Sequence, residues 1–371
     1  MRNYLLLMMM AGAVAYLCTP MARSLAQRLR VFTPIRSRDI HSEPVPRLGG
    51  VAMFIAIALA LMVATQMTFL RGIFEGSAAI WGILLGAGIV TFVGIADDVW
   101  DLHWTLKLGG QVLAAATVAW LGVRIVMLPV GALVIDSVVL QYIVTIFLIV
   151  LTMNAINFID GLDGLAAGVA VIGGGAFFLC TYWVTRFAFP TDYSNMATLI
   201  MAVMIGACVG FLPHNFFPAK IFMGDSGSML IGLLLSSSAI AATTQIGGDM
   251  FNRANGLPTF MPILLPLAVM LLPLLDLTLA VARRTARLRS PFSADRGHLH
   301  HKLIDAGYSH PKAVLMMYLW SSVVAFGVVA FAFFPWRWVL AVDSIAVVIA
   351  LALTLHPWVA RPGEDEPVES Q

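Results

Sequence analysis

Apolar runs of 16 to 25 residues recur along this chain, and no other feature constrains its fold so strongly. A run of about 20 such residues crosses a bilayer as a helix. In hydrocarbon the backbone must pair all its polar groups internally, so only helices and closed barrels span. Barrel strands would alternate apolar with polar over about ten residues, and these runs do not alternate. Charged residues make up 11% of the chain, against about 25% in a soluble domain. The sequence therefore predicts an all-α polytopic membrane protein. The first run, Tyr4 to Met21, lacks a strongly basic flank and a small-residue cleavage site, so it reads as a retained helix rather than a signal peptide. Cys18, Cys180 and Cys208 sit inside apolar runs and supply neither a disulfide framework nor metal-ligand spacing.

Eleven spans are predicted, over 4–21, 48–70, 78–96, 108–123, 137–153, 164–184, 196–212, 229–244, 258–282, 314–334 and 338–355. Arg124, Pro129, Gly131 and Asp136 place a turn between the fourth and fifth. Residues 1–356 form the integral membrane domain. The Pro- and Glu-rich tail, 357–371, is predicted to be disordered and cytoplasmic. With eleven crossings, the segments 23–47, 97–107, 154–163, 213–228, 283–313 and the tail share one side. They hold 16 of the 22 Lys and Arg residues. Basic loops mark the cytoplasmic side, which puts the N-terminus outside.

The same side collects the polar motifs. Gly94-Ile-Ala-Asp97-Asp98-Val-Trp-Asp101 closes the third span. Asp97 and Asp101 share a face if that helix continues one more turn. Acids at a helix C-terminus oppose the macrodipole, so three of them there need a reason. Lys107 follows at the start of the fourth span. In Asn154-Ala-Ile-Asn157-Phe-Ile-Asp160-Gly-Leu-Asp163-Gly, polar side chains repeat every third residue and fall on one side of a helical turn. Asp163 is also placed to cap the sixth span. Asn215-Phe-Phe-Pro-Ala-Lys220-Ile-Phe222-Met-Gly-Asp225-Ser-Gly-Ser precedes the eighth, where small residues and a helix start offer N–H groups to an anion. Ser290 to Lys302, with Arg296, His298, His300 and His301, lies in the most basic loop. Asp276 is buried in the ninth span, with Arg283 or Arg284 about two turns on as a pairing partner.

Six carboxylates, Asp97, Asp98, Asp101, Asp160, Asp163 and Asp225, thus face one pool. They cannot all ionise unless a cation joins them. Oxygen-only ligands beside phosphate chemistry suit Mg²⁺, and Lys and Arg around them suit a diphosphate substrate. A transporter would bind near the bilayer midplane on broken helices. These motifs lie instead at span ends.

These segments, together with His41-Ser-Glu-Pro-Val-Pro-Arg-Leu-Gly-Gly, resemble the polyprenyl-phosphate N-acetylhexosamine-1-phosphate transferases over roughly residues 40 to 310. The His-x-His-His spelling is similar to the branch that uses UDP-GlcNAc. The resemblance implies an active site built from cytoplasmic loops of the bacterial inner membrane. It implies UDP-GlcNAc as donor, undecaprenyl phosphate as acceptor, UMP as product, and Mg²⁺ as cofactor with Mn²⁺ as an alternative. Membrane lipids are the expected surroundings, a homodimer is an expected assembly, and nucleic acid is no partner.

It also implies roles. Asp225 and Asn157 would hold the metal. Asp97, beside Asp98, would be the acid–base carboxylate, Lys107 would contact the donor diphosphate, and His298 would act in catalysis. Phe222 and Asn215 would stack on and hydrogen-bond uracil. Asp160 and Asp163 would line the donor site, and Arg296, His300 and His301 would hold the sugar-phosphate. The acceptor is a phosphate monoester with a second pKa of about 6. At neutral pH Asp97 would therefore orient the acceptor, or a cation, more than deprotonate the acceptor. Transfer is expected either directly or through an aspartyl-phosphate.

Overall fold

The computed structural model describes residues 1–33, 44–128, 133–188, 194–245 and 303–359 apart from 305, with isolated positions between 271 and 285. The helices are α1 (Arg2–Arg28), α2 (Gly49–Ala64), α3 (Arg71–Glu75), α4 (Ala79–Trp100), α5 (Trp104–Trp120), α6 (Val138–Ile159), α7 (Leu165–Ala188), α8 (Met196–Asn215), α9 (Gly224–Gln245), α10 (His310–Ala330) and α11 (Trp336–Val359). Among the described residues, eight helices are long and apolar enough to cross a membrane: α1, α4, and α6 to α11. The 17 residues of α5 stand at the short end of the range that crosses a bilayer. The predicted ninth span, 258–282, and Asp276 within it lie outside the described residues.

Several boundaries differ from the sequence reading, each for a local reason. Span 48–70 is not one straight helix. It stops at Ala64, and Thr68–Glu75 turns away by 96°. Polar Thr65 and Gln66 break the run, and the Thr65 hydroxyl donates to the Met62 carbonyl at 2.7 Å. Leu70, fully buried, anchors the return. Helix α6 runs six residues past the predicted end at 153, which carries Asn154 and Asn157 onto the helix. Helix α9 starts at Gly224 rather than 229, so Asp225 sits in its first turn. Helix α5 starts at Trp104, which puts Lys107 in its first turn. The expected turn between α5 and α6 holds a two-residue antiparallel pair, Met127 opposite Val134.

Helices α8 and α9 form the centre. Almost every residue of α8 is buried, and α1, α2, α7 and α9 pack around it. Around α9 stand α2, α4 and α6. Helix α11 lies at the edge with most of its apolar residues exposed, as a lipid-facing helix should be. Cys180 and Cys208 are buried and Cys18 half-buried, all as free thiols.

Candidate active site

The ends of α1, α4, α6 and α8 and the starts of α2, α5, α7, α9 and α10 meet at one end of the bundle. The start of α9 is its centre. Gly94 lets α4 approach it, since a Cβ there would stand 2.3 Å from Ser226 Cα. Gly50 lets α2 approach on another side, where a Cβ would meet the Gly227 nitrogen at 2.2 Å. Gly224, at φ +68°, turns the chain into α9 where a Cβ would strike the Asp98 carboxylate.

Asp98 has no exposed side-chain surface. Its carboxylate accepts from the Asp225 N–H at 3.2 Å, the Ser226 N–H at 3.5 Å and the Ser226 hydroxyl at 3.4 Å. It therefore caps α9 from another helix. That answers the puzzle of acids at the end of α4. Asp98 opposes the dipole of its own helix but sits on the positive end of α9. Arg47 approaches the same carboxylate, with a nitrogen 3.8 Å away.

Asp97, one residue earlier, faces the opening. Lys107, from α5, holds its ammonium 3.1 Å from Asp97 Oδ2 and pairs also with Asp225 Oδ2. The second oxygen of Asp225 accepts from the Asn157 amide at 3.0 Å, and that amide also donates to Ser228 at 2.9 Å. Asn154 leaves this cluster and bonds Gln111 at 2.8 Å. Asp101 leaves it too. Helix α4 does continue, to Trp100, and the Asp101 N–H bonds the Asp97 carbonyl at 2.9 Å, but Asp101 caps the helix at φ 50° with its side chain exposed.

Asp160 and Asp163 follow α6. Asp160 sits in the connecting turn, where burial pushes its carboxyl up to about 7. The Arg47 guanidinium works against that rise, while Asp98 and Asp163 add to it. Asp163 reaches beyond the start of α7. Its carboxylate accepts from the Ala219 N–H at 2.9 Å, and its own N–H donates to His310 Nε2 at 3.1 Å. Asn215 is 2% exposed, accepting from the Gly164 N–H at 3.1 Å and donating to the Ile221 carbonyl at 3.0 Å. Both brace the loops against each other, and in this structure the Asn215 amide is engaged within the fold. Phe222 is half-buried and its backbone pairs with Pro46 and Gly49. Arg296, His298, His300 and His301 lie outside the described residues.

Three neighbours carried no role in the sequence reading. Arg47 stood in a quoted motif, but only the fold shows that it reaches Asp98. His310, at the start of α10, stacks on Phe217 with ring centres 5.0 Å apart. Gln111, 1% exposed in α5, had no motif around it.

The donor set fits a small hard cation. Asp97 and Asp225 converge on one positive group, and an amide adjoins them. The amide is oriented with nitrogen toward Asp225, an assignment that a half-turn would reverse to present oxygen. Among the described residues no three His, Cys, Asp or Glu side chains close a metal cage. Asp225 with Asn157 beside it, and Asp97 close by, are the groups that could hold Mg²⁺, which keeps water and takes phosphate oxygens rather than an all-protein cage.

The fold and the site define a multi-pass helical membrane protein with a charged cluster, suited to anionic substrates, at one end of the bundle. Residues 80–243 match Glycosyl transferase family 4. The chain is 39% identical to the decaprenyl-phosphate N-acetylglucosaminephosphotransferase of Mycolicibacterium smegmatis, over 99% of this chain and 92% of that one. It is 32% identical to a probable undecaprenyl-phosphate N-acetylglucosaminyl 1-phosphate transferase of Bacillus subtilis, over 81% and 77%. It is 30% identical to the phospho-N-acetylmuramoyl-pentapeptide-transferase of Desulforudis audaxviator, over 64% and 77%. The chain belongs to glycosyl transferase family 4 and is a phosphoglycosyl transferase of the polyprenyl-phosphate N-acetylglucosamine phosphotransferase kind.

Proposed function

We propose that this enzyme transfers GlcNAc-1-phosphate from UDP-GlcNAc to a polyprenyl phosphate, releasing UMP and forming the lipid-diphosphate-sugar that starts a cell-surface polysaccharide. One observation carries the reading furthest: Lys107 is shared by Asp97 and Asp225 at the start of α9. Two carboxylates and a lysine around one point can balance a divalent ion and a diphosphate. Mg²⁺, held by Asp225 and Asn157, would supply charge neutralisation for two anions that must meet. The acceptor phosphate oxygen attacks the phosphorus bonded to the sugar, a new P–O bond forms, and the bond to UMP breaks. Asp97 orients the acceptor, Lys107 steadies the donor diphosphate, and Asp98 holds the start of α9 in register.

Relatives named for decaprenyl and for undecaprenyl phosphate support an acceptor of that length, with decaprenyl phosphate favoured by the higher identity. The basic bias of the loops supports eleven crossings, with the site facing the cytoplasm across the bacterial inner membrane.

The test supplies purified protein with decaprenyl phosphate, Mg²⁺ and either UDP-GlcNAc or UDP-MurNAc-pentapeptide. UMP and a new glycolipid are expected from the first donor and almost none from the second. Preference for the second would reverse the donor assignment, and UMP from neither would end the transferase reading.

A further inference from the structure

Arg47 has no part in the reaction as set out above, yet its surroundings are tightly built. Its own N–H donates to the Val31 carbonyl at 3.2 Å, and the Phe222 N–H donates to Pro46 at 2.9 Å. Gly49 and Gly50 donate to the Phe222 and Met223 carbonyls at 3.0 and 2.9 Å. The backbone around Arg47 is thus strapped to the end of α1 on one side and to the start of α9 on the other.

The side chain is oriented as well. Nε donates to the Thr33 hydroxyl at 2.9 Å, which sets the plane of the guanidinium. Nη1 stands 3.8 Å from Asp98, longer than a hydrogen bond. Asp98 already accepts from α9, and the Arg47 side chain keeps 30% of its surface exposed. Lys107 differs, since two carboxylates already hold it. Arg47 therefore offers a fixed fork of donors at the edge of the acidic pool, and its charge reaches Asp160 inside it.

The neighbouring surface says what comes to that fork. Met21 and Leu25 on α1 and Leu29 at its C-cap, spaced four apart, are exposed and apolar. Arg23, Arg28 and Arg30 are exposed beside them. An exposed apolar strip and a basic collar at the end of α1, to which the Arg47 backbone is bonded through Val31, match a phosphate monoester on a hydrocarbon chain.

We infer that Arg47 binds the phosphate of the polyprenyl acceptor, with the prenyl chain lying along the lipid-facing side of α1. The inference rests on the transferase reading. It divides the two anions between two cations, acceptor on Arg47 and donor on Lys107. A fork grips a phosphate through two N–H groups where an ammonium is only a point charge.

The experiment uses the full chain in detergent. Decaprenyl phosphate and UDP-GlcNAc are each added alone while the unfolding midpoint is followed, and KM is measured for both. A ligand that binds the native state raises the midpoint. Wild type should respond to decaprenyl phosphate and not to decaprenol. Arg47→Met should lose that response and keep the response to UDP-GlcNAc. Its acceptor KM should rise about 10- to 100-fold, the worth of a charge-assisted hydrogen bond, with the donor KM near wild type. Arg47→Lys, which keeps the charge, guards against a misfolded variant and should show the same split in smaller measure. A retained lipid response in Arg47→Met, a wild-type acceptor KM in Arg47→Lys, or a rise in donor KM instead would overturn the assignment. A wild type that answers neither ligand refutes the transferase reading itself, and Arg47 falls with it.

Discussion

Replacing Asp98 by Asn removes a charge from a carboxylate with no exposed surface and three donors around it, at 3.2, 3.4 and 3.5 Å. Asn keeps one acceptor oxygen and loses the ion. Asn caps a helix about as well as Asp, so the capping bond itself changes little. Loss of a charge at a partly buried helix start costs about 0.3–2 kcal/mol. That loss, at most about 2 kcal/mol, should lower the unfolding midpoint by no more than a few degrees. A chain of 150–250 residues shifts about 2–4 °C per kcal/mol, and a longer one somewhat less. Because the first donor to Asp98 is the Asp225 N–H, the same change should displace the Asp225 carboxylate. A misplacement of about 1 Å costs on the order of 100-fold in rate. Turnover followed by UMP release should fall by about that factor, and more Mg²⁺ should be needed to saturate it. Ser226→Ala, which removes one of the three donors, should shift midpoint and rate in the same direction by less. A large loss of activity with an unchanged midpoint would mean that Asp98 acts on the substrate directly, and the capping argument would fail.

Asp225→Asn should nearly abolish turnover and weaken Mn²⁺ binding read by electron paramagnetic resonance, because a metal-held charge is worth several kcal/mol in the transition state; wild-type metal binding would remove Asp225 from the metal site. Asp97→Asn should stay severely impaired at pH 9, and full recovery there would make Asp97 a simple base. Gly94→Ala should push α9 away from α4 at a cost of about 1–3 kcal/mol in stability, and an unchanged midpoint with unchanged activity would contradict the close approach of Gly94 to Ser226. Asp160 gives a pH signature in metal-free protein. With its native pKa raised to about 7 against about 3.9 unfolded, the native state keeps a proton that the unfolded chain has released, so stability falls as pH rises across that window. Asp160→Asn should flatten the midpoint-versus-pH curve between pH 5 and 7, and parallel curves would refute the shift.

Reading the sequence alone was enough for the class of fold and for most of the helices, because a hydrocarbon solvent leaves a chain few choices. Apolar length sets the crossing segments, and ten of the eleven predicted runs coincide with described helices. It also singled out Asp97, Lys107, Asn157 and Asp225, which do converge, since clustered polar residues in so apolar a chain are costly unless they work together. What it left open was decided by partners from distant segments. The sequence reading placed Asp98 beside Asp97 as one motif, but the fold turns one toward the opening and the other onto the start of α9, 127 residues away. Asp163 read as a local cap, and the fold also ties it to Ala219 and His310. Asn215 read as a ligand contact, and the fold adds two backbone partners to its amide. Arg47 carried no signal of its own. Periodicity reports the solvent that each face of a helix meets, and capping rules report the nearest residues along the chain. Neither reports which helix end a carboxylate will meet across the bundle, because that depends on how closely helices approach, and here glycines at 50 and 94 set that distance.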